Sequence, residues 1–178
     1  ATPIPRTISL TFFGNLDLST LKNPPQNRLP IKTFIVPQLK IPDCYKWLQA
    51  DIEKRHSQAF IVCPFIEESE TMQTVKAASK EFENLKNEVF KNLKLGLLHG
   101  KLKAKEKEGV LGKFRDGKID ILVATPVVEV GIDVPGATIM LIEGAERFGL
   151  AQLHQLRGRV GRSDKQSYCF LYTENQSE

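Results

Sequence analysis

Residues 152–162, QLHQLRGRVGR, contain the densest cluster of reactive side chains in the sequence. Within this segment, residues 157–162 include three arginines and two glycines. Like charges at this spacing repel one another, so the segment needs an anionic partner, and a planar guanidinium group matches two phosphate oxygens at once. A basic patch that grips a nucleic-acid backbone is the simpler alternative. The segment therefore indicates a phosphate site, on a nucleotide or on a nucleic acid.

Four residues of this segment share one face if the segment is helical, since they stand at i, i+3, i+4 and i+7. They are Gln155, Gly158, Arg159 and Arg162. Each glycine inside a helix costs ~1 kcal/mol relative to alanine, and such local rule-breaking is typical of places where function overrides stability. We interpret Gly158 and Gly161 as positions where another backbone or a ligand approaches closely, and the arginines as a defined phosphate site.

The elements around this segment alternate between apolar strands and amphipathic helices. Apolar runs predict strands at 32–37, 59–65, 93–99, 119–125, 137–143 and 166–172. Helices are predicted at 42–56, 72–93, 103–116, 126–130 and 149–160. Strands that are apolar on both faces and separated by helices are typical of a parallel sheet covered on both sides, which right-handed crossovers make doubly wound. We predict an α/β fold of this kind, preceded by an irregular, proline-rich segment at residues 1–31.

Polar residues follow three of the predicted strands, at the edge of the sheet where ligands bind in such folds. They are His99-Gly100, Thr125-Pro126 and Glu143-Gly144. We interpret Glu143 as a surface or hinge contact, because a lone acid without a phosphate loop in the same chain is weak evidence for a metal site. The charge run at 101–108, KLKAKEKE, predicts a solvated helix face.

The sequence contains one near-match to a phosphate loop, GKFRDGKI at residues 112–119. That loop needs a hydroxyl after its lysine to bind magnesium, and Ile119 cannot supply one. It also needs a strand before it and a helix after it, whereas the predicted order here is reversed. We interpret Gly117 as the residue that ends a helix.

Bulk composition narrows the class of protein. The balance of 41% hydrophobic and 26% charged residues is that of a globular domain, and a net charge of +4 permits a polyanionic partner. The three cysteines lack zinc-site spacing, so we expect no metal site, and their sparse number fits a reducing cytoplasm. No apolar run approaches the ~18 residues of a membrane span. We expect a cytoplasmic, monomeric protein.

The arginine segment, Q-x-x-G-R-x-G-R, resembles motif VI of the superfamily 2 helicases, and four other stretches agree with it. Residues 119–137 resemble motif V, residues 60–65 motif IV, and residues 97–100 the motif after it. The opening ATPIPRT resembles the tail of motif III. Together with residues 146–162 and 166–172, these stretches resemble the RecG-type branch-migrating DNA helicases over nearly the whole chain.

That resemblance implies a motor of two RecA-like (P-loop NTPase-type) domains with ATP between them. Residues 1–31 would be the tail of the first domain and a linker, and residues 32–178 the second domain. The phosphate loop and the acid that binds Mg²⁺ belong to the first domain in this family, so the 178-residue chain is expected to hydrolyse no ATP by itself. The intact protein would use ATP with Mg²⁺, its partners being branched DNA and its own first domain.

The resemblance also assigns roles to residues, most of which lie at the ends of predicted strands and helices. Arg159 and Arg162 would reach the γ-phosphate, one of them as an arginine finger, while Gln155 would position them and the attacking water. The nucleotide would also be approached by Gly131, Asp133 and Gly158. DNA-backbone contacts would come from Thr125, His99 and Gly100.

The function implied is a bacterial, ATP-dependent DNA helicase that remodels stalled forks and Holliday junctions in recombination and repair. Two alternatives remain open at the level of sequence. One is the motor domain of a transcription-repair coupling factor, whose motifs III and VI are similar. The other is a nucleic-acid-binding module with no role in ATP hydrolysis.

Overall fold

The computed structural model describes residues 29–64, 72–126 and 134–174. In these ranges, six strands form one parallel sheet in the order β1-β6-β5-β2-β4-β3. The strands are β1 (Lys32–Pro37), β2 (Gln58–Val62), β3 (Leu95–Leu98), β4 (Ile121–Ala124), β5 (Ala137–Ile142) and β6 (Tyr168–Thr173). The predicted parallel sheet is confirmed, and each strand falls within or next to its predicted run.

Four α-helices connect the strands in the described ranges. They are α1 (Ile41–Arg55), α2 (Met72–Asn84), α3 (Ala104–Arg115) and α4 (Leu150–Arg157). Short 3₁₀ turns cover Gln38–Lys40 and Ala145–Arg147, and a π-helical turn, Leu85–Val89, continues α2. Gly117 follows α3 with φ +70°, so it is the left-handed residue that ends this helix, as its sequence context indicated.

The sheet has one apolar core on each face, because successive side chains of a strand point to opposite sides. Helices α1 and α2 cover one face through Leu48, Ile52, Ala78 and neighbouring residues. Helices α3 and α4 cover the other face through Phe114 and Leu156. The central strands β2, β4 and β5 are buried on both sides, which explains why their sequences are apolar except for Gln58 and Thr138. This is the layered α/β architecture that the sequence predicted.

Helix α2 ends earlier than the predicted helix at 72–93. Its last turn widens into the π-helical segment, where the backbone N–H of Phe90 donates to the carbonyl of Leu85 at 2.7 Å. Phe90 is fully buried, and Leu93 packs against the same core from beyond the helix. The apolar spacing therefore continued after the helical backbone had ended, and spacing alone could not mark the boundary.

Several sequence predictions lie outside the described residues. These are residues 1–28 of the segment assigned to a preceding domain, the helical turn predicted over 127–130, and the nucleotide contacts Gly131 and Asp133. The division of the chain at residue 31 stays a prediction.

Candidate functional site

Residues 157–162, which we call the arginine turn, begin at the last residue of α4 and leave the helix after Arg157. The N–H of Arg159 donates to the carbonyl of Leu156 at 2.9 Å. This bond spans three residues and closes a tighter turn than the four-residue bond of an α-helix. Gly161 then adopts φ +73°, which a right-handed helix does not permit. The predicted helix over 149–160 is therefore wrong beyond Arg157. The two glycines lie after the helix, so they do not weaken its interior.

The backbone of the arginine turn is anchored in the core, while its three arginine residues are partly exposed. Leu156 and Val160 are buried at 0% and 1% exposure, and both belong to the core under α3 and α4. The side chains of Arg157, Arg159 and Arg162 are partly exposed. A rigid backbone that presents guanidinium groups is what stabilisation of a phosphate requires, since the donors need no rearrangement when charge develops.

The structure brings three of the predicted nucleotide residues into one neighbourhood. Nε of Arg162 donates to the carbonyl of Gly158 at 3.4 Å. A Cβ placed on Gly158 would lie 3.4 Å from the carbonyl oxygen of Gln155, so the last turn of α4 closes tightly on this glycine. Arg162 therefore contacts the backbone of Gly158, which itself lies against the backbone of Gln155. Arg159 lies in the same turn.

The arginine turn lies at the amino-terminal edge of the sheet. A Cβ placed on Gly161 would lie 2.8 Å from Cγ1 of Ile31, the residue before β1. Ser167, which directly precedes β6, is also beside this glycine. Since a crossover helix runs antiparallel to the strands, α4 carries its C-terminal end away from the carboxyl edge. The arginines and the residues that follow the strands therefore form two separate candidate sites.

The second candidate site is the turn between β3 and α3, residues 99–102, which we call the HG turn. The N–H of Leu102 donates to the carbonyl of His99 at 3.2 Å and closes the turn. Lys107, in the second turn of α3, donates from Nζ to the carbonyl of Gly100 at 2.6 Å. His99 and Gly100 are partly exposed. Sequence reasoning placed Lys107 on a solvated face, so this contact is a correction to that interpretation.

Thr125 adjoins the HG turn but is buried. Its N–H donates to the carbonyl of Leu98 at 3.1 Å, and its side chain has 0% exposure. Among the three residues predicted to touch DNA, His99 and Gly100 thus have exposed surface and Thr125 has none. The DNA contact at Thr125 stays a prediction, and the structure gives this residue a supporting place behind the turn.

Glu143, at the carboxyl end of β5, lies in a cleft of about 370 Å³ that Glu81 and Arg147 also line. The hydroxyl of Tyr45 in α1 donates to Oε1 of Glu143 at 3.1 Å. Burial raises the pKa of Glu143 to about 7, and the nearby charge of Glu81 acts in the same direction. The carboxyl group therefore joins β5 to α1, and its protonation changes near neutral pH.

Glu143→Gln is expected to remove a dependence of stability on pH. The folded state holds a proton on Glu143 up to pH 7, whereas the unfolded state releases it near pH 4.5, so wild-type stability falls as pH rises between these values. The glutamine variant should match the wild type near pH 4 and exceed its free energy of unfolding by up to about 3 kcal/mol at pH 8. Urea unfolding of both chains from pH 4 to 8 measures this. Equal slopes in the two proteins would contradict the buried-carboxyl account.

No three histidine, cysteine, aspartate or glutamate side chains meet as a metal site within residues 29–64, 72–126 and 134–174. Cys44, Cys63 and Cys169 are buried free thiols. In the same ranges, none of the helices combines the length and the apolar composition needed to cross a bilayer.

Three comparisons with known proteins identify the family and the fold of the chain. Residues 40–164 match the family described as the helicase conserved C-terminal domain. The ATP-dependent DNA helicase RecG of Thermotoga maritima is 49% identical over 178 residues, which are all of this chain and 23% of that protein. A structure of RecG bound to a three-way DNA junction is 46% identical, with a TM-score of 0.79 over 99% of this chain and 22% of that one.

The fold is shared more widely. Domain 2 of the DEAD-box helicase Mss116p, solved with an RNA duplex, superposes with a TM-score of 0.62 over 81% of this chain at 24% identity. This likeness shows the fold alone. The chain spans about a quarter of the length of the RecG proteins to which it is similar.

Proposed function

The chain belongs to the helicase conserved C-terminal domain family, and from that premise we propose that it is the second motor domain of a RecG-type, ATP-dependent DNA helicase. Its substrate would be branched DNA, such as stalled forks and Holliday junctions, during recombination and repair. The similarity to RecG over the full chain supports this choice, as does the likeness to a RecG solved with a three-way junction. No observation in the described ranges favours a transcription-repair coupling factor.

The observation that carries the proposal is the arginine turn. Charge accumulates on the equatorial oxygens of a phosphoryl group during transfer, and a fixed guanidinium there is worth ~10³ to 10⁵ in rate. Arg159 and Arg162 are presented by a backbone that the buried Val160 anchors. We assign these two arginines to the γ-phosphate of ATP and Gln155 to positioning them and the attacking water. Gly158, Gly131 and Asp133 are proposed to approach the nucleotide.

The domain assignment follows the same reasoning. Residues 32–178 are proposed as the second motor domain, and residues 1–31 as the end of the first together with a linker. The Mg²⁺ ion that accompanies ATP would be held by the first domain, where the family resemblance places the acid that binds it. The complete site would form only when both domains close on the nucleotide. A monomer in the cytoplasm of a bacterium is proposed for the intact protein.

The HG turn is proposed as the grip on one DNA strand, through His99 and Gly100. It lies at the carboxyl edge of the sheet, whereas the arginine turn lies at the amino-terminal edge. Both turns border the core that α3 and α4 share. Closure around ATP at one edge would thus shift the whole sheet and carry the DNA grip at the other edge.

The test is ATP hydrolysis by the full-length protein without DNA, with a single strand, and with a three-way junction. We expect the junction to raise the steady-state rate several times over the rate without DNA. A rate that no DNA changes would reject the motor assignment, and tight junction binding in that case would favour the nucleic-acid-binding module. Stimulation by single strands alone would reject branched DNA as the substrate.

A further inference from the structure

Lys107 holds the HG turn through a contact that the charge pattern of the sequence did not indicate. Lys107 lies one helical turn into α3, and its Nζ is 2.6 Å from the carbonyl oxygen of Gly100. Lys101, Lys103 and Lys105 are exposed, whereas Lys107 is partly buried. A buried ammonium costs free energy unless it is hydrogen-bonded, so this contact has a structural reason to persist.

Two further hydrogen bonds hold the same turn. The N–H of Leu102 bonds the carbonyl of His99 at 3.2 Å. The N–H of Lys103 bonds Oε2 of Glu106 at 2.8 Å, where α3 begins. These two bonds fix the ends of the turn, and the bond from Lys107 fixes its middle. The bond from Lys107 therefore helps to orient the Gly100 peptide, and glycine has no side chain of its own to resist rotation.

Orientation matters here because a peptide has a negative and a positive end. A carbonyl oxygen that faced the DNA would repel a phosphate, whereas an ammonium group bonded to that oxygen neutralises it. Nδ1 of His99 is buried, and no residue of the described ranges hydrogen-bonds it. A buried polar group of this kind needs a partner that the described residues do not supply, such as an ordered water or a bound strand.

We infer that Lys107 is a positioning residue for DNA: by holding the Gly100 carbonyl, it keeps the HG turn in the shape that accepts a strand's phosphate. The inference rests on the proposed function, since it takes the HG turn as the DNA grip. Lys107 acts through the turn and does not itself contact the phosphate. This distinguishes it from the exposed lysines around it, which add only diffuse attraction.

The experiment compares Lys107→Ala with Lys105→Ala in the full-length protein. Both variants lose one positive charge from the same helix, but only the first removes the bond to Gly100. Loss of a charged hydrogen bond predicts a rise of about tenfold in the dissociation constant for a three-way junction with Lys107→Ala. Lys105→Ala should stay within about twofold of the wild type. Lys107→Arg, which keeps a charged donor, should recover most of the lost affinity.

Two more readouts separate positioning from other roles. The slope of affinity against salt should be unchanged in Lys107→Ala, whereas loss of a direct phosphate contact lowers it by about one. In ATP hydrolysis, the DNA concentration for half-maximal rate should rise more than the maximal rate falls. Thermal unfolding of each variant shows whether the domain is folded, and rescue by arginine serves the same purpose.

The outcomes are distinct. Equal affinities of Lys107→Ala and Lys105→Ala would overturn the inference, and a reduced salt slope would replace it with a direct contact. Failure of Lys107→Arg to recover affinity would also overturn it. If the wild type shows no DNA-stimulated hydrolysis, the proposed function fails separately, and the binding measurements still decide whether Lys107 positions the turn.

Discussion

Arg162→Ala in the full-length protein is expected to lower DNA-stimulated ATP hydrolysis by about 10³-fold or more, while junction affinity changes by no more than about twofold. The guanidinium of Arg162 is proposed to meet charge that exists only as the γ-phosphate leaves, so its removal raises the barrier without loosening the DNA. Steady-state hydrolysis at saturating three-way junction gives the rate, and fluorescence anisotropy gives the affinity.

Arg157→Ala is the matched control for this prediction. It removes the same charge from the same turn, but Nη2 of Arg157 lies 3.2 Å from Nδ1 of His154 on the surface of α4, and no nucleotide role is proposed for it. Hydrolysis should therefore survive this change far better. If Arg162→Ala instead abolished binding and left hydrolysis per bound complex unchanged, the chain would be a nucleic-acid-binding module, and the motor assignment would be rejected.

Gly161→Ala is expected to destabilise the domain by about 1–3 kcal/mol and to impair hydrolysis as strongly as loss of the arginine beside it. Alanine is strained in the left-handed conformation at φ +73°, and its Cβ would lie 2.8 Å from Cγ1 of Ile31. Relief of this contact requires a shift of the Ile31 side chain or of the backbone at Gly161, and a shift of that backbone redirects Arg162. Urea unfolding gives the stability, and the hydrolysis assay gives the functional loss.

Gly158→Ala separates this effect from a general need for glycine. Gly158 has φ −69° and ψ 0°, which alanine adopts readily, and its new Cβ would meet two carbonyl oxygens at 3.4 Å. The stability of the Gly158→Ala variant should differ from that of the wild type by less than about 1 kcal/mol.

Combining Gly161→Ala with Ile31→Ala divides the destabilisation caused by Gly161→Ala into steric and conformational parts. Full stability in Gly161→Ala would show that the left-handed turn is dispensable.

The fold could be predicted from sequence because the central strands have apolar side chains on both faces. Residues 121–124 are all apolar, residues 137–142 are apolar except for Thr138, and both strands are buried throughout. The strand order was beyond prediction, since β1 pairs with β6 across more than 130 residues and no local pattern encodes that choice. The end of α4 was missed for another reason. Gly158 and Gly161 are also helix-stop residues, and we interpreted them as functional exceptions within a helix.

The candidate site was predictable in its residue types but not in its layout. The crowding of cations indicated a phosphate partner, and crowding is a property of the sequence itself. The separation of the arginine turn from the HG turn depends on the direction of α4 across the sheet. Thr125 was expected to face DNA, yet it is buried behind the turn. Lys107 was grouped with solvated lysines because charge spacing describes a helix face and not the carbonyl that a neighbouring loop presents.

The contact between Ile31 and Gly161 couples the start of β1 to the arginine turn. Ile31 enters β1 between two hydrogen bonds, from Gln166 Nε2 to the carbonyl of Pro30 at 2.8 Å and from the N–H of Lys32 to the carbonyl of Ser167 at 3.0 Å. The chain that leads into β1 is therefore held by hydrogen bonds at the same place where Ile31 packs against the left-handed Gly161. A displacement of residues 30–32 would therefore change the contact between Ile31 and Gly161 and, through it, the backbone that carries Arg162.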